Sequence, residues 1–178
     1  MKELSKKDES IILNSIRTIV DFPKQGISFK DITTLMSNPK AFNILMNHLE
    51  SRYEDYNIDY IAGLDARGFI FGSILADRLN KGFIPVRKKG KLPYKTISQK
   101  YDLEYGTDEI EIHIDAVEKG SNVLIIDDLI ATGGTAGAAI KLFEKVGANC
   151  IESCFIMELV DLNGRRNITS EIYSVIKT

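Results

Sequence analysis

The stretch from Val123 to Ala136 constrains this chain more than any other: Val-Leu-Ile-Ile-Asp-Asp-Leu-Ile-Ala-Thr-Gly-Gly-Thr-Ala. Apolar residues, a pair of acids, small and hydroxyl residues and two glycines lead into helix formers. This is the order expected where a buried strand delivers a loop to a helix N-terminus. In an open parallel sheet, ligands collect beyond the carboxyl ends of the strands, and Asp127 and Asp128 are expected at such an end. Their carboxylates suit the vicinal hydroxyls of a ribose. Ala131, Thr132, Gly133, Gly134 and Thr135 carry little bulk, so backbone N–H groups can approach a phosphate closely. The helix that follows adds its positive end. No GxxxxGK[ST] loop occurs in the chain, and the glycine spacing is wrong for a dinucleotide fingerprint. A plain glycine turn would not need two carboxylates after four apolar residues, because burying them costs free energy.

The rest of the chain supplies a sheet for this loop. Short apolar segments at Tyr60–Leu64, Phe83–Val86, Val123–Ile126, Cys150–Leu159 and Glu171–Ile176 read as strands. Helices are expected between them: Gly68–Leu79, burying Phe69, Ile70, Ile74 and Leu75, and Thr135–Val146, stopped by Gly147. Such alternation predicts a mostly parallel α/β sheet. Before it, Ile12, Ile16, Ile19 and Val20 fall at helical spacing, with Ser5 or Asp8 as the cap. Asn38-Pro39 reads as an N-cap with proline at the first helical position, opening a helix with Phe42, Leu45, Met46, Leu49 and Tyr53 on one face.

With 178 residues, 44% of them hydrophobic, the chain is expected to fold as one domain with its own core. Net charge is -2, which argues against a nucleic-acid coat. No apolar run approaches the ~18 residues of a membrane span, and the charged first ten residues do not read as a signal peptide. Cys150 and Cys154 fit neither a CxxC pair nor a zinc site and read as core thiols. A reduced, cytoplasmic setting is expected.

The middle of the chain has an unusual charge pattern. Residues 81–100 hold seven lysines and arginines and no acid, whereas residues 101–118 hold seven acids and no lysine or arginine. Two readings stay open: two halves of a surface hairpin that pair with each other, or a mobile basic flap that closes on an anionic substrate. Arg67, beside Gly68 after a strand end, suits bidentate binding of diphosphate oxygens.

The Val123–Ala136 run resembles the phosphoribosyl-pyrophosphate (PRPP) motif of type I phosphoribosyltransferases, and more narrowly of their adenine-specific branch. Phe22-Pro23 through Gly26 to Phe29-Lys30-Asp31-Ile32-Thr33 resembles the early base-pocket segment. Gly63-Leu64-Asp65-Ala66-Arg67-Gly68-Phe69 resembles the pyrophosphate loop. Arg87-Lys88-Lys89-Gly90-Lys91-Leu92-Pro93 resembles the start of the flap, and Leu103-Glu104-Tyr105-Gly106 its tip. Glu158-Leu159 with Gly164-Arg165 resembles the late segment. Gln25 stands where members often carry proline, and Lys30 where many carry arginine.

The resemblance implies a phosphoribosyltransferase α/β fold: a mostly parallel sheet flanked by helices, a flap over about residues 87–113, and a small hood from about residues 1–35 and the C-terminal segment. It implies transfer of the 5-phosphoribosyl group of PRPP to adenine, giving AMP and pyrophosphate, as in purine salvage. Asp127, Asp128 and the Ala131–Thr135 loop would hold the ribose and 5-phosphate. Asp65, Ala66, Arg67, Arg87, Lys88 and Lys91 would hold pyrophosphate, with a cis peptide near Asp65-Ala66. Ser28, Phe29, Lys30 and Leu159 would contact the base; Glu104, managing a proton near purine N7, and Arg67 would be the catalytic residues, and Tyr105 would exclude water. Magnesium would travel on PRPP or pyrophosphate, with no all-protein cage. A homodimer is implied, with some pyrophosphate contacts crossing its interface. Two rival readings remain: a 6-oxopurine base, or a PRPP sensor that binds without turnover.

Overall fold

The computed structural model describes residues 4–102 and 106–178. By its internal contacts the chain forms two compact units, Met1–Asp55 and Tyr56–Thr178.

In the first unit, α1 (Lys6–Asn14) is capped by Ser5, whose hydroxyl accepts the Asp8 N–H. The helix stops earlier than its isoleucine spacing predicts. Ile19 and Val20 belong instead to β1 (Arg17–Val20), which pairs antiparallel with β2 (Ser28–Asp31) through Arg17↔Asp31 and Ile19↔Phe29. Cross-strand pairing, which suits β-branched residues, overrides the local helical pattern. The short α2 (Thr33–Met36) leads to α3 (Pro39–Tyr53), whose Asn38 cap accepts the Ala41 N–H as the Asn-Pro signal requires. Both α1 and α2 pack on α3, with Ile12, Leu35, Leu45, Met46 and Leu49 buried.

The second unit is built on β3 (Tyr60–Leu64), α4 (Gly68–Arg78), β4 (Gly82–Lys88), β5 (Thr96–Asp102), β6 (Thr107–His113), β7 (Asn122–Ile130), α5 (Gly134–Lys145), β8 (Asn149–Glu158) and β9 (Glu171–Lys177). Among the described residues these strands form one sheet in the order β5-β6-β4-β3-β7-β8-β9. β4, β3, β7, β8 and β9 run parallel, and the β5–β6 hairpin is added antiparallel at the β4 edge. The core is aliphatic: Ala62, Leu64, Val86, Val123 and Ile125 from the sheet meet Ala139, Leu142 and Phe143 of α5. Each fully buried Ile or Leu contributes roughly 1.5–3 kcal/mol relative to exposure.

Two details depart from the sequence reading. The buried face of α4 is Gly68, Phe71, Gly72, Leu75 and Ala76, while Ile70 is exposed. Glycines set this face: a Cβ on Gly72 would lie 2.8 Å from the Ile126 side chain, so α4 rests on β7 through its smallest residues. In addition, β7 does not end before its acids. It continues through Asp127 and Asp128 to Ile130, because the ten-residue β8 keeps pairing with it up to Ile130↔Glu158.

Candidate active site

Three chain segments meet at the carboxyl ends of β3, β4 and β7. The first is the turn after β3, where the Asp65–Ala66 peptide is cis and Arg67 opens α4. Its approach to β7 requires glycine at 68, since a Cβ there would lie 2.6 Å from the Ile126 carbonyl oxygen and 3.0 Å from Asp127 Oδ1. The second is the acid pair on β7. Asp128 is buried, and its Oδ2 lies 2.6 Å from Arg67 Nε. Asp127 Oδ1 accepts the Asp128 N–H at 2.8 Å. Asp127 keeps partial exposure at a cavity wall yet lies deep in the fold. Loss of solvent, and then the Asp128 charge, push its carboxyl well above the usual aspartate range; the Arg67 charge works the other way.

The third segment is the basic end of β4. Arg87 Nε approaches Asp65 Oδ2 at 3.3 Å, and its guanidinium lies 5.8 Å from the Phe69 ring centroid. Lys88 Nζ pairs with Asp108 of β6 at 3.0 Å, and Lys89 with Glu109 at 2.8 Å. The hydrogen bond to Asp108, then its charge, hold the Lys88 ammonium above its ordinary value. The same contact holds the Asp108 carboxyl low. The two halves of the charge run therefore face each other across the β4–β6–β5 ladder. Tyr101 donates to Asp108 at 3.3 Å and also hydrogen-bonds Thr135, and burial raises its phenol.

These groups surround a cavity of about 250 Å³ whose walls include Asp65, Lys88, Tyr101, Asp108, Asp127 and Thr135. A smaller cavity of about 100 Å³ adjoins it along Asp127 and the Ala131–Thr135 loop. Gly133 enters α5 in the left-handed region, φ 77°, and no side chain caps the helix. The N–H groups of its first turn are thus left to face an anion.

The late segment supports this loop from behind. Leu159 N–H donates to the Ile130 carbonyl at 3.0 Å, and Asn167 Nδ2 donates to the Thr132 carbonyl at 2.7 Å. A Cβ on Gly133 would run into the Gly164 carbonyl, and a Cβ on Gly164 into the Ala131 carbonyl, so neither position has room for a side chain. Glu158, just before Leu159, holds Arg165 bidentately at 2.6 and 2.7 Å.

Asp65, Lys88, Asp127 and Thr135 thus share one cavity, with Arg67 and Arg87 bonded to acids of the same segments. The Lys91 side chain is exposed, and its carbonyl accepts from Arg87. Ser28, Phe29 and Lys30 lie in the first unit, where Phe29 meets Phe22 edge-to-face at 5.3 Å. Glu104 and Tyr105 lie outside the described residues. Tyr101, Asp108 and Asn167 were not marked by sequence reasoning. The alternation of acids with Ile110 and Ile112 was the one available signal for Asp108.

The phosphoribosyl transferase domain model matches residues 31–176. The chain is similar to the adenine phosphoribosyltransferase of Sulfurovum sp., 64% identical with 98% of each chain covered. Among solved structures, it is similar to the adenine phosphoribosyltransferase of Rhodothermus marinus: 44% identity, TM-score 0.92, 98% of this chain and all of that one covered. It is also similar to the Saccharomyces cerevisiae enzyme complexed with adenine and an imino-altritol bisphosphate: 41% identity, TM-score 0.91, 96% and 99% covered.

Proposed function

The chain belongs to the phosphoribosyl transferase family, and on that premise we infer that it transfers the 5-phosphoribosyl group of PRPP to adenine, giving AMP and pyrophosphate. The observation that carries this reading is the cavity where the β7 acid pair, the β3 turn and the basic end of β4 meet. In the reaction, the bond from ribose C1 to the pyrophosphate oxygen breaks as adenine N9 bonds to C1 with inversion. The N9 proton is lost, and the bonding electrons leave with pyrophosphate. The ribose passes through a cationic, oxocarbenium-like stage. Little covalent chemistry falls to the protein; positioning and neutralisation of the leaving group do most of it.

Each group has a part in this reading. The Ala131–Thr135 backbone and the open first turn of α5 receive the 5-phosphate. Asp127 and Asp128 accept from the ribose hydroxyls and place negative charge beside the developing cation. Asp65, Ala66, Arg67, Arg87, Lys88 and Lys91 receive the pyrophosphate. For Lys88 this means exchanging Asp108 for a substrate oxygen. Ser28, Phe29, Lys30 and Leu159 are assigned to the base, Glu104 to the proton near N7, and Tyr105 to water exclusion. About residues 1–35 and the C-terminal segment then serve as the hood of a single phosphoribosyltransferase domain, and residues 87–113 as its flap.

The oxygen donors at the cavity suit magnesium. Asp127 offers a carboxylate there, and among the described residues no three His, Cys, Asp or Glu side chains gather around a metal position. The ion would be held by Asp127, substrate oxygens and water, and would supply charge neutralisation of the diphosphate. A homodimer and a cytoplasmic setting complete the proposal. Free Cys150 and Cys154 support the setting, and among the described residues no helix is long and apolar enough to cross a membrane.

Turnover with PRPP and each purine base in parallel tests the reading. Adenine should be used orders of magnitude better than hypoxanthine or guanine. A buried acceptor matched to the 6-amino group is left unpaired by a 6-oxo base, at a cost of ~1–3 kcal/mol before any repulsion. Comparable kcat/KM for adenine and hypoxanthine would remove the adenine assignment.

A further inference from the structure

Glu111 is a charged residue in an unexpected place. It sits on β6, directly across the ladder from Arg87, and is only 3% exposed. Its Oε1 accepts three successive backbone N–H groups, from Gly90 at 2.9 Å, Lys91 at 3.1 Å and Leu92 at 3.2 Å. Its Oε2 accepts the Thr96 hydroxyl at 3.1 Å. Converging N–H groups of this kind form an anion-binding concavity; here the chain's own carboxylate fills it.

The turn held in this way joins Arg87 and Lys88 to Lys91. It reverses at Gly90, whose φ of 80° is left-handed, and Lys91 N–H closes it onto the Lys88 carbonyl at 3.3 Å. Its Lys91 carbonyl then accepts from Arg87 Nη1 at 3.3 Å, while Arg87 Nε reaches Asp65. One carboxylate therefore fixes a turn, the turn fixes a carbonyl, and the carbonyl orients a guanidinium at the cavity edge.

We propose that Glu111 is a positioning residue for the pyrophosphate group: it never touches substrate but sets Arg87 and the Lys88–Lys91 turn to receive it. This rests on the functional reading above and extends it to a residue that no sequence motif marked. Hydrogen bonds to an ionised acceptor are roughly twice as strong as neutral ones, so charge at position 111 matters as well as shape. The Ala131–Thr135 loop shares none of these contacts. Loss of Glu111 therefore weakens pyrophosphate and PRPP binding while sparing AMP, which carries a 5-phosphate and no diphosphate.

The test compares binding of inorganic pyrophosphate with magnesium, and of AMP, to the full chain and to Glu111→Gln and Glu111→Ala. With charge-assisted bonds weakened in one variant and removed in the other, the pyrophosphate Kd should rise about tenfold for Gln and about a hundredfold for Ala. The AMP Kd should stay within about twofold. The KM for PRPP should follow pyrophosphate, with the smaller part of the loss in kcat. A folded variant with an unchanged pyrophosphate Kd overturns the proposal, as does equal weakening of both ligands, which marks a general structural role. Should the Glu111 variants not fold, Thr96→Val keeps the carboxylate and removes one donor. It should weaken pyrophosphate about threefold and leave AMP unchanged; no change in either overturns the proposal. A parent protein that binds neither ligand would instead overturn the functional reading itself.

Discussion

Arg67 Nε and Asp128 Oδ2 stand 2.6 Å apart across 61 residues of sequence, tying the turn after β3 to the acid pair of β7. The pair places a cation against two adjacent carboxylates, of which Asp127 already holds its proton more tightly than a free aspartate. An acid whose folded pKa is raised takes up more protons in the native state than in the unfolded one. Its contribution is therefore lost as pH climbs from the ordinary aspartate range through the raised value.

Arg67→Gln removes the opposing charge and extends that loss to higher pH. Its melting temperature should fall below the parent's by more at pH 8 than at pH 5, and turnover should drop about a hundredfold. Equal deficits at the two pH values would show that Arg67 does not offset the acid pair.

Asp127→Asn should separate activity from stability. The change is nearly isosteric and removes a carboxylate that costs stability at neutral pH, so the melting temperature should hold or rise. The KM for PRPP should rise at least tenfold if the carboxylate accepts charge-assisted bonds from the ribose hydroxyls. Unchanged PRPP kinetics would take Asp127 out of the site.

Glu158 and Arg165 lend themselves to acid titration. The Arg165 hydrogen bond, ahead of every other cause, holds the Glu158 carboxyl below the usual glutamate range. The stabilisation is present above the ordinary glutamate value and is lost as pH falls through the lowered one. Arg165→Ala should cost about 1–2 kcal/mol at pH 7, less than a fully buried pair because the arginine head is half-exposed. In acid the two proteins should converge. A deficit that persists undiminished in denaturant melts below pH 3 would contradict this pairing.

Gly133→Ala tests the seat of the PRPP loop. The left-handed backbone costs an alanine about 1–2 kcal/mol, and its Cβ would run into the Gly164 carbonyl. Phosphate-loop function should suffer first: AMP binding should weaken at least tenfold, a loss of about 1.4 kcal/mol or more, in a protein that still folds. Parent-like AMP affinity would show that the Gly133–Gly164 contact is dispensable.

The Val123–Ala136 run was legible because its structure is local. A strand, a low-bulk turn and a helix start follow one another within fourteen residues, and each has a short-range cause in apolar content, missing side chains or helix propensity. The Asn38-Pro39 cap and the parallel alternation of strands were readable for the same reason. What the sequence concealed is set by partners far along the chain. Ile19 and Val20 carry a helical spacing, yet β2 draws them into a strand. β7 extends through two aspartates because β8 supplies ladder partners and Arg67 supplies charge. Asp108 and Glu111 belong to one acidic run, but register decides their different surroundings: Asp108 meets the Lys88 ammonium, and Glu111 turns to backbone N–H groups. By itself the sequence determined the α/β class and the loop that suits a phosphate. Only the tertiary structure decided which charges that loop would meet, because a side chain's electrostatic partner depends on distance in space.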